Sequence, residues 1–318
     1  MLGSLGMLGR KVRVIINPRA GSGKAERRIA DIERALRRYR LSHELVRTRG
    51  PNDAKRLVAE AVTDGVDVVA IVGGDGTLNE ASRAFIDDAG RLIPGKLPDL
   101  AVIPAGTGGD WRKTFGFSES IDDAVRRIAE PTRRPVDLGL LRLEKEDGTT
   151  AFHSFLNIAS FGISGITDRL VEQAPKWIGG KIAFYLASLR ATYVYRNAPV
   201  RVKVDGKTFV EGRIFVVAIA NGRYFGGGMK IAPNADPSDG KFDVVVLGDM
   251  TRMDAIGLSP RVYQGTHLST VHVRAASGAT IEAESLDGGD VWLDVDGETP
   301  GRLPMTANVL PAALHVRV

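Results

Sequence analysis

Hydrophobic positions change their period along the chain, and the change divides it in two. Up to about residue 137, short β-branched runs alternate with stretches of helical period. The runs are "KVRVIINP", "HELVRT", "VDVVAIV" and Leu100 to Ile103, each predicting a strand. The stretches between them are Lys24 to Arg40, Asp53 to Asp64, a segment carrying Leu78, Ala81, Ser82 and Phe85, and "SIDDAVRRIAE", each predicting a helix. Repeated strand-helix units imply a parallel sheet with helices on its faces, and ligands of such sheets sit beyond the carboxyl ends of the strands.

After Pro135 the texture becomes strand upon strand: "VDLGLLRL", "FHSFLNIAS", "VRVKVDG", "TFVEGRIFVVAIA", "FDVVVLGD", "STVHVRAA", "ATIEAES", "DVWLDVDG" and "LHVRV". Such a run predicts a mainly β, sandwich-like second domain, with its main helix between Ile166 and Arg196. The expected division is therefore an α/β domain over 11–137 and a β-rich domain over 138–318. The last strand is a candidate to return to the first domain. With no long linker, the two domains are expected to flank a cleft.

Three glycine-rich loops fall on the predicted carboxyl edge: "NPRAGSGK", "GGDGTLNE" and "PAGTGGD". Asp-Gly in the second is a hairpin signal, but its flanks are a buried strand and a helix. It therefore joins strand to helix. Thr77 and Glu80 fit a capping box, which predicts a helix from about Leu78; Ser120 and Asp123 form a similar pair. A glycine loop entering a helix offers unobstructed N–H donors to a phosphate. A tight turn without ligand is the alternative.

Composition narrows the chemistry. Zero cysteines exclude disulfides, zinc-thiolate sites and thiol nucleophiles. The five histidines lack metal-binding spacing. No apolar run is long enough to span a membrane, and "MLGSLGMLGR" lacks the features of a signal peptide, so a cytoplasmic location is expected. The formal charge of +5 favours anionic partners. Arginines crowd Lys24 to Arg40, either as a solvated surface helix or as a contact for a membrane or nucleic acid.

"NPRAGSGK" satisfies neither standard phosphate pattern. Pro18 and Ala25 break GxxxxGK[ST], and Glu26 breaks GxGxxG. Taken in order, "INPRAGSGK", "RTRGPNDAKRLVAEA", "VGGDGTLNE", "IPAGTGGDW", "IAPNADPSDGKFDVVVL" and "DVDGE" resemble the bacterial soluble diacylglycerol kinase-like lipid kinases, relatives of sphingosine and ceramide kinases. The resemblance spans nearly the whole chain.

It implies an ATP- and Mg²⁺-dependent kinase of a lipid primary hydroxyl, first diacylglycerol, then ceramide, a sphingoid base or phosphatidylglycerol. Asn17, Pro18, Gly21, Ser22, Gly23, Lys24, Thr48, Gly73, Gly74, Asp75, Gly76, Thr77, Leu78, Asn79, Glu80, Gly106 and Thr107 would form the nucleotide site. Asp75 would hold the Mg²⁺ of the nucleotide, which would lower its pKa. Asp296 would deprotonate the lipid hydroxyl, with Glu298 nearby in a metal and water network. A structural Mg²⁺ would take Asp239, with oxygens at Asp236 and Lys241 and a water link to Asp110. Gly109 stands where the family usually has asparagine.

The implied partners are a lipid alcohol and an anionic membrane whose inner face the chain would approach peripherally, with no nucleic acid and with a homodimer as a compatible assembly. "PKWIGGKIAFYLASL" mixes aromatic and basic residues suited either to the membrane interface or to a packed helix. NAD and sugar-phosphate kinases share the GGDGT logic, and a catalytically silent binding protein is the remaining alternative.

Overall fold

The computed structural model describes residues 10–105, 109–144, 149–172, 190–191 and 194–318. The stretch from Pro175 to Leu189 and the loop residues Gly106 and Thr107 lie outside these, so expectations about them have no structural counterpart here. The chain divides into two compact units, Met1–Val136 with Ala312–Val318, and Asp137–Pro311.

In the first unit the expected strands form, because their β-branched residues are buried on both sides of a parallel sheet. They are β1 (Lys11–Ile16), β2 (Ser42–Arg47), β3 (Val68–Gly73) and β4 (Asp99–Pro104). Spatial order is β4-β3-β1-β2, with β1 parallel to both β2 and β3, and β3 parallel to β4. All six residues of β3 are buried. Helices α1 (Ala20–Arg27), α2 (Ile29–Arg38), α3 (Asp53–Thr63), α4 (Asp75–Ser82), α5 (Asp110–Thr114) and α6 (Ile121–Ala129) complete the unit. Ile32, Leu36, Val125 and Ile128 join Val14, Val68, Val72 and Ile103 of the sheet in one core.

The single helix expected over Lys24 to Arg40 is two helices meeting at Arg28, whose guanidinium donates to the Pro104 carbonyl (2.9 Å) instead of lying on a solvent face. Other arginines of this segment do face solvent, where Arg34, Arg37 and Arg38 pair with Asp31, Glu33 and Asp122. The α6 cap forms as expected, with Ser120 Oγ accepting from the Asp123 amide.

The second unit comprises β5 (Arg133–Glu144, entered from the first), β6 (Thr150–Phe155), β7 (Ile158–Gly162), α7 (Ile163–Glu172), β8 (Ala198–Val204), β9 (Lys207–Ala220), β10 (Phe242–Gly248), α8 (Arg252–Gln264), β11 (Val273–Gly278), β12 (Thr280–Ser285), β13 (Leu293–Val295) and β14 (Met305–Arg317, leaving for the first). Alternation along β9 and β10 buries both of their faces. Val217, Ile219, Val244 and Val246 meet Val200, Val202, Ile281 and Met305 in the sandwich core. Val216, Ala218, Val245 and Leu247 instead face a second cluster that includes Val262 of α8.

Two expectations change here. "FHSFLNIAS" is two strands interrupted at Leu156 and Asn157, where amides turn to a side chain described below. Helix α8 is absent from the sequence expectation because Gly257 and Pro260 interrupt its pattern. Its legible signal is the Thr251–Asp254 capping box, which forms in full. Of the helix expected between Ile166 and Arg196, α7 covers the described start, and residues 190, 191 and 194 near its end are helical.

The end of β14 joins the first unit, with Val316 aligned parallel to Leu100 of β4. Arg317 and Asp99 are both buried and lie 2.7 Å apart, and Arg133 approaches the same carboxylate. Removing one partner of a buried pair leaves a charge uncompensated and costs about 3–5 kcal/mol. Asp99→Ala is therefore expected to lower unfolding stability by about that amount, measured by urea titration. A loss below about 1 kcal/mol, the value of an exposed pair, would show that the pair does not secure this strand.

Candidate functional site

The register of the first unit brings its glycine loops side by side. Ile16 aligns with Arg47 and Val72, Val72 with Ile103, and Gly73 with Pro104. The residues that leave these strands, Asn17, Thr48, Gly74 and Ala105, therefore emerge along one carboxyl edge. Main-chain bonds fix them, from Asn17 N–H to the Val72 carbonyl (3.1 Å) and from Thr48 N–H to the Ile16 carbonyl (2.8 Å).

Asn17 ties two loops together. Its Oδ1 accepts from the Arg19 amide (3.0 Å), and its Nδ2 donates to Thr77 Oγ1 (2.9 Å). Gly21, Ser22 and Gly23 follow in three consecutive left-handed conformations, with φ of 60°, 57° and 81°. At Gly21 the reason is close approach. A Cβ there would stand 2.3 Å from the Ala105 carbonyl oxygen. Ser22 and Lys24 are exposed, while Pro18, Gly21 and Gly23 are partly buried.

The loop over Gly73 to Glu80 differs from its expected form. Helix α4 begins at Asp75, three residues before Leu78, with Gly74 as its cap and no side-chain cap bond. The capping box is absent because both members are engaged elsewhere. Thr77 Oγ1 serves Asn17, and Glu80 Oε1 accepts the Ala54 amide in the first turn of α3 (2.7 Å). Thr77, Leu78 and Asn79 are buried, so this part of the loop is framework, while Gly74 and Asp75 are partly buried and Gly76 is exposed. A Cβ on Gly73 would press within 2.8 Å of Thr77 Oγ1.

Asp75 accepts from three consecutive amides, those of Gly109 (2.9 Å), Asp110 (2.9 Å) and Trp111 (3.4 Å). Burial raises its pKa above the ordinary value, with the Asp110 charge adding to the rise and the amides opposing it. This rise belongs to the carboxyl without a cation, whereas the expected lowering belongs to a carboxyl holding Mg²⁺. Gly109 has φ 141°, open to glycine alone among common residues, and its amide reaches Asp75 from that conformation. A recess beneath the loop is lined by Ile71, Gly74, Leu78, Val102, Trp111 and Arg112. Arg28 and Arg112 escaped the sequence reading, since an arginine beside a glycine loop has no distinctive spacing, whereas Trp111 closes the "IPAGTGGDW" motif.

In the second unit Asp296 mirrors Asp75. It sits in a turn after β13 with φ 50°, and its carboxylate accepts from the amides of Leu156 (2.9 Å), Asn157 (3.3 Å) and Ile158 (2.8 Å). Those bonds use three of the roughly four acceptor positions of a carboxylate, and they end β6 where β7 starts. Asp294 beside it accepts from Ser160 Oγ (3.1 Å) and the Gly297 amide (3.0 Å). Glu298 closes the turn through main-chain bonds with Val295 in both directions.

The expected structural-metal residues serve other bonds. Asp236 Oδ1 accepts from Ser238 N–H, Asp239 Oδ1 from Lys241 N–H, and Asp110 pairs with Lys113 at 2.7 Å. Among the described residues, no three Asp, Glu, His or Cys side chains gather in a way that could hold a metal ion. No helix among the described residues is long and apolar enough to cross a membrane.

Comparison with known proteins bears on the same loops. Residues 11–141 match the diacylglycerol kinase catalytic domain, and residues 157–318 match the YegS C-terminal NAD kinase beta sandwich-like domain. A diacylglycerol kinase of Mycobacterium tuberculosis is 29% identical over 96% of this chain and 94% of its own. A protein of Xanthomonas axonopodis pv. citri named as a YegS-like lipid kinase is 31% identical over 78% of this chain and 74% of its own. A Bacillus anthracis crystal structure, of a candidate diacylglycerol kinase, superposes with a TM-score of 0.74 at 25% identity, covering 97% and 96% of the two chains. A yeast NADH kinase shares the fold at 11% identity and a TM-score of 0.54. With an α/β domain carrying these phosphate-type loops and a β sandwich-like domain carrying the Asp296 turn, the chain belongs to the diacylglycerol kinase-like lipid kinases, phosphotransferases that act on an alcohol group.

Proposed function

We propose that this kinase transfers the γ-phosphoryl group of ATP to a lipid primary hydroxyl, with diacylglycerol as acceptor and phosphatidic acid as product. One observation carries the reading: Asn17, Thr48, Gly74 and Ala105 leave four adjacent parallel strands at one edge, in a chain whose two parts match the lipid-kinase domains. Amides at such an edge suit a polyphosphate. Ceramide, a sphingoid base or phosphatidylglycerol is the next acceptor class.

In this reading the lipid oxygen attacks the γ-phosphorus in line and forms the new O–P bond. The bond from phosphorus to the β,γ-bridging oxygen breaks, and ADP leaves with that electron pair. The hydroxyl proton passes to Asp296. Positioning and charge neutralisation supply most of the acceleration in phosphoryl transfer. Mg²⁺ is proposed as the counter-ion of the nucleotide, neutralising phosphate charge. The protein would work peripherally at the inner face of an anionic membrane.

The test is incubation with labelled ATP and a panel of lipid alcohols in mixed micelles, with products resolved. Phosphatidic acid formed from diacylglycerol, dependent on Mg²⁺, is the expected result. Phosphorylation of NAD without detergent and no labelled lipid would overturn the reading.

A further inference from the structure

Helix α8 packs one face and exposes another that is also apolar. At 100° per residue, Ala255, Leu258 and Val262 share one side, and they join the cluster beneath β9 and β10. Met253, Ile256, Pro260 and Tyr263 recur at spacings of three, four and three, which forms a stripe on the other side. The stripe is open to solvent: Met253 is 74% exposed, Ile256 60% and Tyr263 51%. Val271, in the turn between the short helical segment His267–Ser269 and β11, is 90% exposed. These are four of the seven large hydrophobic residues exposed among the described residues.

On α8 the cations Arg252 and Arg261 outnumber the one acid, Asp254, and exposed Asp249 precedes the helix. Arg252 and Arg261 lie on α8 itself, and both are exposed. Lys230 donates its amide to the Val262 carbonyl and runs its side chain past the end of the helix at Gly265. The nearby acid on this helix, Asp254, is bound into the capping box.

We propose that this face of α8 is a docking surface for an anionic lipid bilayer. Basic residues flanking an apolar stripe suit a helix lying in the headgroup region, and tyrosine is enriched at that depth. Pro260 deprives the Ile256 carbonyl of its helical donor. Headgroup water satisfies such a carbonyl where hydrocarbon cannot, which sets a shallow depth. A second copy of the chain is the rival occupant, and the molar mass measured below distinguishes it from a bilayer. The proposal extends the lipid-kinase reading and rests on it only for why a bilayer is needed.

The absence of cysteine from the sequence permits a clean experiment. Met253→Cys in the full chain, carrying an environment-sensitive fluorophore, reports on the stripe alone. It is mixed with phosphatidylcholine vesicles, with or without phosphatidylserine, and with no nucleotide. A blue shift with the anionic vesicles, reversed by salt, is expected. In unlabelled protein, Ile256→Asp with Tyr263→Asp should weaken sedimentation with these vesicles by at least about tenfold. Arg252→Gln and Arg261→Gln should each weaken it about fivefold. Unfolding midpoint and molar mass should not change in any of them.

Vesicle binding without a blue shift, unchanged binding in the double variant, or no binding at all would overturn the proposal. So would a blue shift without vesicles that accompanies a doubled molar mass, because a second copy would then cover the stripe. Binding is read without phosphoryl transfer, so failure of the kinase reading appears separately, as vesicle binding with no product from diacylglycerol.

Discussion

Gly21→Ala is expected to lower kcat/KM for ATP by about a hundredfold, the scale of loss that a misplacement of 1 Å produces. Gly23→Ala should cost much less. Both glycines have positive φ, 60° and 81°, so alanine meets the left-handed penalty of about 1–2 kcal/mol at either position. They differ in what the added methyl meets. At Gly21 it lies 2.3 Å from a main-chain oxygen, that of Ala105, whereas at Gly23 its nearest neighbour is the movable end of Arg27 at 3.6 Å. A side chain can swing aside, but a carbonyl at the end of β4 moves only with its loop. The comparison therefore isolates the close approach of two nucleotide loops from ordinary backbone strain. Calorimetric titration with ATP, beside thermal unfolding of each variant, makes the measurement. Equal affinities for the two folded variants would remove the Gly21–Ala105 approach from the nucleotide site.

Where burial follows a simple period, the fold was legible. The β-branched runs of β1, β3 and β4 could be read because a parallel sheet buries both sides of each strand, and the long strands β9 and β10 because they pack both faces. Helix α8 was hidden by Gly257 and Pro260. Its two apolar faces also cancel in a search for one-sided patterning. At the bend, Arg28 donates to a carbonyl 76 residues away, a contact that no local pattern encodes.

For the candidate site, composition marked the loops but not the bonds within them. Thr77 and Glu80 had the spacing of a capping box, yet each had a stronger claim from outside the helix, from Asn17 and from the Ala54 amide. Likewise, the acids looked available in sequence. In the folded chain Asp75 and Asp296 each accept from three successive amides. A carboxylate seen in sequence carries its chemistry but not its neighbours.

That symmetry shapes the second large effect. Asp296→Asn is expected to lower kcat by about 10²- to 10⁴-fold, the usual worth of a general base, with ATP affinity nearly unchanged. Its carboxylate uses both oxygens on amides, Oδ2 for Leu156 and Asn157 and Oδ1 for Ile158. Asparagine must turn its NH₂ group toward one of these donors. Stability should therefore also fall, by about 1.5–3 kcal/mol, the worth of a hydrogen bond to a charged group. Rates must be compared at a temperature where both proteins are fully folded. Asp75→Asn is milder, because Oδ2 takes the two short bonds from Gly109 and Asp110, which an asparagine oxygen can keep, and only the 3.4 Å bond from the Trp111 amide falls on Oδ1.

The Asp75 carboxyl also has a pKa raised by burial from its ordinary 3.8. The folded state therefore binds this proton more tightly than the unfolded state does, and the contribution of Asp75 to stability falls as pH rises from 3.8 through the raised value. Above that window the wild-type protein carries a buried charge that Asp75→Asn lacks, so this variant should be no less stable at neutral pH. A raised pKa also makes Asp75 the stronger rival for the proton. Nucleotide titration and single-turnover transfer, run on both folded variants, separate the two acids. If Asp296→Asn retains near-normal transfer while Asp75→Asn binds ATP fully and loses the chemical step, the hydroxyl proton goes to Asp75 and the proposed assignment is reversed.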